Sequence, residues 1–303
     1  MHVIDVHNLT KYYISSSIRK KKSTIGIEDV SFSVKKGEIY GFLGPNGAGK
    51  TTTMRLLLDL IRPTSGTAEI FGKDVFLNSK ELRKHIGYIP GEINFYNNKN
   101  AGYLLKYYQR LQGEESVLMD KLVDYFDIPL NRPVKTFSKG MKQKLAIIQA
   151  FMHDPELIIM DEPTAGLDPL VQQRFYDFII SQKESGKTIF ISTHILSEAQ
   201  KICDRVAIIR SGKIIAVEKI SELNAKSGNS ITVSFVEDVE PKDIQNSEIV
   251  SIRKTNGSLH IRTGTSLTET MRKISSYTIK DITIGQESLE DVFMHYYEGE
   301  DDV

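Results

Sequence analysis

Residues 44–52 read Gly-Pro-Asn-Gly-Ala-Gly-Lys-Thr-Thr and directly follow the apolar run at 39–43. This is the pattern G-x-x-x-x-G-K-[ST], in which a strand passes through a glycine-rich loop into a helix. Glycines let the backbone curl until successive N–H groups point at phosphate oxygens, and the positive end of the helix dipole lies behind the same anion. The pattern therefore predicts a nucleotide site within an α/β domain.

Every residue of this loop is a candidate contact for the nucleotide. Lys50 is placed to reach the β- and γ-phosphates, and the Thr51 hydroxyl is placed to hold Mg²⁺. The complete set of candidate contacts is Gly44, Pro45, Asn46, Gly47, Ala48, Gly49, Lys50, Thr51 and Thr52. The loop alone does not say which process the nucleotide drives.

The composition argues against two classes of protein. Lysine plus arginine and aspartate plus glutamate both number 39 in 303 residues, so the formal net charge is zero and the chain lacks an overall positive field for nucleic acid. Apolar residues stand in short runs, none near the roughly 18–20 residues that span a bilayer, and no signal-peptide pattern opens the chain. The single cysteine, Cys203, allows no internal disulfide, and its apolar neighbours indicate a small core residue. We therefore expect a soluble cytosolic protein that binds no nucleic acid.

The pattern of apolar residues divides the chain in two. Up to about residue 220, strand-like and helix-like segments alternate, which predicts an α/β domain with a mainly parallel sheet. Tyrosines and leucines at helical spacing in 101–127 predict a helical subdomain. Beyond this point, short strands near 231–236, 248–253, 258–262 and 279–284 and a helix near 267–274 predict a small α+β domain. We place the two domains at 1–222 and 223–303, with a turn at Asn256-Gly257 and a helix start at 288–291.

The segment 14–25 is expected to be a solvated loop. It carries the basic run Arg19-Lys20-Lys21-Lys22. The alternative is that this run contacts the cytoplasmic membrane leaflet or a partner protein.

Two carboxylates follow a buried strand. The apolar run 157–160 leads directly into Asp161-Glu162-Pro163, which places both carboxylates at the carboxyl edge of the sheet, where the phosphate loop also opens. Asp161 fits the role of a Mg²⁺ ligand, and Glu162 is placed to orient or deprotonate an attacking water. The sequence thus predicts a hydrolytic site.

His194 stands at the end of another apolar strand, 188–192. Its imidazole is a candidate donor to the γ-phosphate. Taken alone, a histidine here is more often a helix-capping or core residue. The neighbouring motifs favour the role of donor to the γ-phosphate.

A second anion-binding helix end is expected near residue 138. Ser138-Lys139-Gly140-Met141-Lys142-Gln143 precedes an apolar helix, with Ser138 as its N-cap. One chain therefore holds two phosphate-binding helix ends. That combination suggests two chains that share two nucleotides.

The phosphate loop, the segment 138–143, Asp161-Glu162, the run Ala165-Gly166-Leu167-Asp168 and His194 occur in the order found in ABC-transporter ATP-binding subunits. Residues 2–220 resemble this family. The resemblance implies a P-loop ATPase fold with a mainly parallel sheet, an antiparallel β subdomain and a helical subdomain. It also implies hydrolysis of ATP with Mg²⁺, a second ATPase subunit, identical or different, and integral membrane permease subunits that hold the chain at the cytoplasmic face of the membrane.

The resemblance also implies site residues beyond the loop. Ser138 and Gly140 would contact the γ-phosphate bound by the second subunit, and Asp168 would lie in the loop that links the two sites. Tyr13 would stack on adenine, with Tyr12 as the fallback. The permease would contact the groove between the sheet and the helical residues near 90–126.

Three positions depart from the family pattern. Lys139 and Met141 replace the usual Gly and Gln of the signature segment. Gly91 stands where a Gln usually approaches Mg²⁺, so either Glu92 takes over as a ligand or the contact is weak. The long connection 14–25 is the third departure. These features and the segment Ser-Leu-Glu-Asp-Val-Phe at 288–293, in the C-terminal domain, resemble ABC-2-type exporters, which serve drugs, peptide antibiotics, lipids or polysaccharides.

Two other classes of protein use a phosphate loop. A soluble ABC ATPase of translation or repair usually carries two such domains or long coiled coils, and this chain has one set of motifs and no extended heptads. A phosphoryl-transferring kinase leaves the segment 138–143, Glu162 and His194 unexplained. We therefore expect an ATPase subunit that energises export.

Overall fold

The computed structural model describes residues 1–17, 20–113, 116, 118–226, 229–255, 257–264 and 266–286. The chain forms two compact units, Met1–Val217 and Glu218–Val303. The boundary between them lies five residues before the one expected from the sequence, at 222/223. Within the described ranges, no helix is both long and apolar enough to cross a lipid bilayer.

Ten strands and seven α-helices begin among the described residues of the first unit. The strands are β1 (His2–Ser17), β2 (Lys20–Lys35), β3 (Ile39–Leu43), β4 (Ser65–Ile70), β5 (Lys73–Asp74), β6 (Ile86–Ile89), β7 (Leu157–Asp161), β8 (Thr188–Thr193), β9 (Arg205–Arg210) and β10 (Lys213–Lys219). The helices are α1 (Lys50–Leu57), α2 (Val75–Leu82), α3 (Ala101–Gln112), α4 (Met119–Phe126), α5 (Lys139–Phe151), α6 (Pro169–Glu184) and α7 (Leu196–Ile202).

The central sheet has the strand order β10-β9-β3-β8-β7-β6. The pairs β3–β8, β3–β9, β7–β8 and β6–β7 are parallel. All residues of β3, β7 and β8 are buried, as expected for the interior strands of a parallel sheet covered on both faces. The predicted mainly parallel α/β fold is confirmed. Its carboxyl edge gathers the ends of β3, β7 and β8.

A second, antiparallel sheet has the order β2-β1-β4-β5. Its first two strands pair as far as Ile14 opposite Ser23 and Ser17 opposite Lys20. The expectation of a solvated loop over 14–25 is therefore wrong, because the hairpin continues almost to its tip. Aromatic and β-branched residues at 12–14 and 24–25 favour such an extension. Arg19 of the basic run lies outside the described residues.

An aromatic cluster fills the core between the two sheets. Phe32 of β2 stacks on Phe190 of β8 with ring centroids 5.5 Å apart and an interplanar angle of 8°. Tyr40 and Phe42 of β3 complete the cluster. Burial raises the pKa of the Tyr40 hydroxyl above its ordinary value of 10. The core thus fixes β3, which leads into the phosphate loop, against the neighbouring strand β8.

The helical region predicted over 101–127 consists of α3 and α4. Asn100 caps α3 by accepting a hydrogen bond from Tyr103 N, and Asp127 ends α4 in a left-handed conformation. The helix expected after Ser138 is α5, and the Ser138 side chain accepts a hydrogen bond from Met141 N at 3.2 Å. The predicted N-cap is confirmed.

In the second unit, the described residues form a four-stranded antiparallel sheet with short helices. Its elements are α8 (Ile220–Lys226), β11 (Asn229–Phe235), α9 (Pro241–Ile244), β12 (Ile249–Thr255), β13 (Ser258–Thr263), α10 (Thr268–Ile274) and β14 (Ile279–Gln286), with strand order β12-β13-β11-β14. Ile231, Val233, Leu259, Ile261 and Ile274 form its buried core. The predicted α+β class is confirmed, whereas Asn256 of the expected turn and the expected helix start at 288–291 lie outside the described residues.

Candidate nucleotide-binding site

The phosphate loop begins at the buried end of β3 and ends on the first turn of α1. Gly47 and Gly49 have φ values of 81° and 112°, in the region that favours glycine. A Cβ atom on Gly49 would lie 2.6 Å from the Ile27 side chain, and one on Gly44 would lie 2.2 Å from the carbonyl oxygen of Ile209. Close contact with the surrounding strands therefore restricts both ends of the loop to glycine, while its middle, 45–47, is exposed.

The Lys50 ammonium lies within the curve of this loop. Lys50 is 5% exposed, and its Nζ donates to the carbonyl oxygens of Gly44 at 2.7 Å and Pro45 at 3.1 Å. Its third neighbour is Glu162 Oε1 at 3.3 Å. An ammonium has three donors, and these three contacts use them. They hold the Lys50 cation where it would lie next to the negative charge of a phosphate bound in the loop.

Asp161 ends β7 with a carboxylate held between two hydroxyls. Thr51 Oγ1 donates to Oδ2 at 2.6 Å, and Ser192 Oγ donates to Oδ1 at 2.5 Å. Mg²⁺ prefers oxygen ligands and usually combines one or two protein carboxylates with substrate phosphates and water. The pair Thr51 and Asp161 fits that donor set. It is not a complete protein cage, since the described residues contain no cluster of three or more His, Cys, Asp or Glu side chains suited to a metal.

Glu162 connects the phosphate loop to His194. Its Oε1 atom lies 3.3 Å from Lys50 Nζ and 3.3 Å from His194 Nδ1. Its φ of 47° is uncommon for a residue other than glycine. The backbone N–H of Glu162 donates to both the carbonyl and the hydroxyl oxygen of Ser192, each at 3.2 Å. These two bonds stabilise the unusual backbone conformation of Glu162, whose carboxylate lies beside Lys50 of the phosphate loop.

The two N-terminal tyrosines have different neighbours. The Tyr13 hydroxyl lies 3.2 Å from Thr52 Oγ1 on α1, and a Cβ on Gly26 would lie 2.7 Å from its ring. Tyr13 is 39% exposed. The Tyr12 hydroxyl instead donates to Glu28. Of the two, Tyr13 is the ring beside the phosphate loop, and Lys11 Nζ lies 5.6 Å from its centroid.

Ser138, Gly140 and Asp168 occupy a different part of the molecule. No hydrogen bond or ion pair among the described residues joins them to the phosphate loop. Asp168 is exposed and caps α6 by accepting from Val171 N at 3.0 Å. Gly140 lies close to Gly166, since a Cβ on Gly140 would be 3.0 Å from the Gly166 carbonyl oxygen. The start of α5 and the loop before α6 therefore form one continuous surface.

Gly91, rather than Glu92, faces the carboxylate of Asp161. A Cβ on Gly91 would lie 3.2 Å from Asp161 Oδ2. Glu92 is exposed and lines a cavity of about 430 Å³ with Lys139, Lys142 and Gln143. Within the described part of the chain, no hydrogen bond links the Glu92 side chain to Asp161 or Thr51. The backbone of this loop, not a side chain, lies beside the candidate metal ligands.

A model of the ABC transporter family matches residues 27–165, which include the phosphate loop and Asp161-Glu162. The bacitracin transport ATP-binding protein of Bacillus licheniformis is 43% identical over 217 residues, covering 70% of this chain and 68% of that protein. An ABC transporter ATP-binding protein of Bacillus subtilis, NatA, is 40% identical over 213 residues, covering 67% of this chain and 87% of its own length. This chain belongs to the ABC transporter ATP-binding family.

The similarity of this ABC ATPase subunit to its relatives extends into the second unit. An uncharacterised ABC transporter ATP-binding protein of B. subtilis, YhcH, is 32% identical over 301 residues and matches 96% of this chain and 95% of its own length. A solved ATP-binding subunit of an ABC transporter, 30% identical, superimposes with a TM-score of 0.64 over 73% of this chain and 92% of its own. A dimeric cassette with ADP and phosphate, 23% identical, shares the fold with a TM-score of 0.64 over 72% of this chain and 98% of its own. The predicted family, fold and ATPase activity are confirmed.

A groove beside the nucleotide site of this ABC ATPase lies between the central sheet and the helical region. It encloses about 390 Å³ and is lined by Arg83, Tyr88, Pro90, Phe95, Tyr108 and His153, among others. Burial and then the nearby Asp161 carboxylate raise the pKa of Tyr88 to about 12. Burial lowers the pKa of His153, whose Nε2 lies 3.3 Å from the carbonyl oxygen of Ile86. Tyr88 thus lines the groove, and the Asp161 carboxylate of the candidate site lies near enough to contribute to the raised pKa of its hydroxyl.

Two buried polar residues of the ABC site were missed by sequence reasoning. Ser192 is 0% exposed and supports both Asp161 and Glu162. Gln143 is 3% exposed and donates to the carbonyl oxygen of Pro163 at 2.6 Å. A polar residue at the end of an apolar strand or within an apolar helix is the signal that marks both.

Proposed function

We propose that this chain is the ATP-hydrolysing subunit of an exporter and acts as a dimer of ATPase subunits. We further propose that the dimer binds separate membrane permeases at the cytoplasmic face of the membrane. The name of the 43% identical relative, a bacitracin transport ATP-binding protein, favours a peptide antibiotic as the cargo. A drug, lipid or polysaccharide remains the alternative within the same class of transporter.

Within one subunit, we assign the phosphate loop, 44–52, to the triphosphate of ATP and Tyr13 to the adenine. Lys50 neutralises charge on the β- and γ-phosphates, and the loop N–H groups donate hydrogen bonds to the phosphate oxygens. Thr51 and Asp161 hold Mg²⁺, which when bound neutralises charge on the transferred phosphoryl group. The donor set of these two residues supports that assignment.

Glu162 is the residue that orients and deprotonates the attacking water, and His194 donates to the γ-phosphate. The observation that carries this assignment is the position of Glu162 Oε1, 3.3 Å from both Lys50 Nζ and His194 Nδ1. A general base must lie within hydrogen-bond reach of its water, close to the phosphate that the water attacks. The position of Glu162 between a loop lysine and a histidine at the strand end supports this role.

The remaining assignments concern surfaces that face outward. Ser138, Gly140 and Asp168 would contribute to the site of the second subunit, since they form one surface away from their own phosphate loop. The groove lined by Tyr88, Pro90 and Tyr108 would receive the permease. Apolar and aromatic walls with a few polar groups suit a docking segment of another protein.

Substitution of Glu162 tests the hydrolytic assignment. Glu162→Gln should lower kcat for ATP hydrolysis by at least about 100-fold, because an amide cannot accept the proton. ATP binding, measured by equilibrium titration, should persist because the loop is intact. The control is Glu184→Gln, which removes an exposed carboxylate at the end of α6. Wild-type turnover in a folded Glu162→Gln protein would refute the role.

Export is tested in cells that produce the chain together with a candidate membrane permease, sought by searching the neighbouring open reading frames for apolar membrane spans. If the proposal is correct, these cells tolerate bacitracin better than cells that produce the Glu162→Gln variant with the same membrane protein. Equal tolerance would exclude bacitracin as the cargo. ATPase activity measured with and without the purified membrane protein then shows whether the two are coupled at all.

A further inference from the structure

Glu198 is a buried carboxylate with no assigned part in the reaction. It lies on the first turn of α7 and is 7% exposed. Within the described residues, no Lys, Arg or His side chain forms an ion pair with it. A buried unpaired charge is costly unless hydrogen bonds compensate it.

Three hydroxyl groups from three different segments provide that compensation. Glu198 Oε1 accepts from Thr164 Oγ1 at 2.7 Å and from the Tyr176 hydroxyl at 3.1 Å, and Oε2 accepts from Thr193 Oγ1 at 2.6 Å. All three partners are buried. Burial and then the Glu198 charge raise the pKa of Tyr176 above its ordinary value, so the phenol stays protonated and donates.

Two of these partners flank the proposed catalytic pair. Thr164 follows Glu162 by two residues, and Thr193 directly precedes His194. The Thr193 hydroxyl also accepts from Ile195 N at 3.0 Å, which fixes the backbone on both sides of His194. Glu198 is therefore the group through which the segment after Glu162 and the segment around His194 are joined.

We propose that Glu198 is a positioning residue for ATP hydrolysis. By holding Thr164 and Thr193 on one carboxylate, it sets the separation of Glu162 and His194 and so aligns the water and the γ-phosphate. This inference rests on the proposed roles of that pair. Small errors in the alignment of reacting groups are costly in rate, whereas the contacts of Lys50 and Thr51 with ATP do not involve Glu198.

Steady-state kinetics of Glu198→Gln test the proposal. The amide keeps the size of the side chain but offers one acceptor oxygen in place of two. We expect kcat to fall by about 10-fold or more and the KM for ATP to change by less than about 3-fold. The matched control is Glu38→Gln, which alters a buried glutamate that binds Lys35 N and Arg205 at the opposite edge of the sheet. Its kcat should stay within about 2-fold of the wild type.

A double-mutant cycle with His194→Ala separates positioning from general stabilisation. If Glu198 acts through His194, Glu198→Gln should cause less than about a 2-fold further loss of kcat in the His194→Ala protein. An undiminished 10-fold loss in that background would overturn the proposal, and so would an unchanged kcat for the single variant. If His194→Ala alone keeps the wild-type kcat, the proposed role of His194 fails instead.

Thr164→Val provides a second route if Glu198→Gln does not fold. It removes one hydroxyl donor and keeps the shape of the side chain. We expect a smaller fall in kcat, about 3-fold or more, again without a matching change in KM. Wild-type kcat in this variant would count against the proposal.

Discussion

The side-chain amide of Gln143 donates a 2.6 Å hydrogen bond to the carbonyl oxygen of Pro163, and the bond is buried. It joins α5, whose first turn carries Ser138 and Gly140, to the segment that follows Glu162. The same two regions meet again at Gly166, where a Cβ would lie 2.7 Å from the Lys139 side chain. The surface proposed to face a second subunit is thus joined to the segment that follows Glu162, the proposed catalytic residue of its own subunit.

Loss of the Gln143 bond should destabilise the fold. Gln143→Leu leaves the buried Pro163 carbonyl without its donor, which costs about 1–3 kcal/mol. The midpoint of urea unfolding should fall accordingly. Gln173→Leu is the matched control, because Gln173 is an exposed helical residue paired with Asp177 and its loss should change stability by less than about 0.5 kcal/mol. Equal midpoints for both variants would contradict the importance of the Gln143 contact.

Ser192 should matter for catalysis although a ligand would not touch it. Ser192→Ala removes the donor to Asp161 Oδ1 and one acceptor of Glu162 N, so the Asp161 carboxylate and the Glu162 backbone each lose one hydrogen bond. We expect kcat to fall by about 10-fold, with a smaller effect on ATP affinity. Ser181→Ala, which removes a local hydroxyl contact to the Phe178 carbonyl within α6, should have no such effect. A wild-type rate in Ser192→Ala would show that the hydrogen bond from Thr51 is enough to hold the Asp161 carboxylate in place.

Introducing glutamine at position 91 should impair the enzyme rather than improve it. The added Cβ would lie 3.2 Å from Asp161 Oδ2, so the carboxylate or the loop must shift. The Mg²⁺ concentration required for half-maximal ATPase activity should rise several-fold in Gly91→Gln. Gly264→Ala, where the described neighbours leave space for a Cβ, provides the control. A lower Mg²⁺ requirement in Gly91→Gln would mean that the new amide joins the metal site.

The thiol of Cys203 should be unreactive in the native protein. Cys203 is buried, and burial raises the pKa of its thiol well above the ordinary value, so the reactive thiolate is scarce. At pH 8, a maleimide should label the native chain at least about 100-fold more slowly than the chain in urea. Since Cys203 is the one cysteine of the sequence, the labelling rate reports on Cys203 alone. Rapid labelling of native protein would show that α7 opens readily.

The local motifs were predictable because each is complete within a few residues. The glycines of the loop 44–52 determine its backbone conformation. Asp161-Glu162 directly follows an apolar strand, so the end of that strand determines where the two carboxylates lie. Ser192, Gln143 and Glu198 were not predicted, since all of their partners except Thr193 lie 20 to 34 residues away in sequence and meet them only through strand register and helix packing. The segment 14–25 was misjudged because a basic run suggested solvent, whereas pairing with the opposite strand determines the backbone.

Gly91 belongs to the same loop as Pro90 and Phe95, which line the groove proposed for the permease. The backbone of this loop lies beside the Asp161 carboxylate, so an occupant of the groove that shifts the loop would also change the surroundings of Asp161. Coupling free energies between two ligands are reciprocal. If an occupant of the groove changes the affinity for nucleotide by some factor, bound nucleotide must change the affinity for that occupant by the same factor.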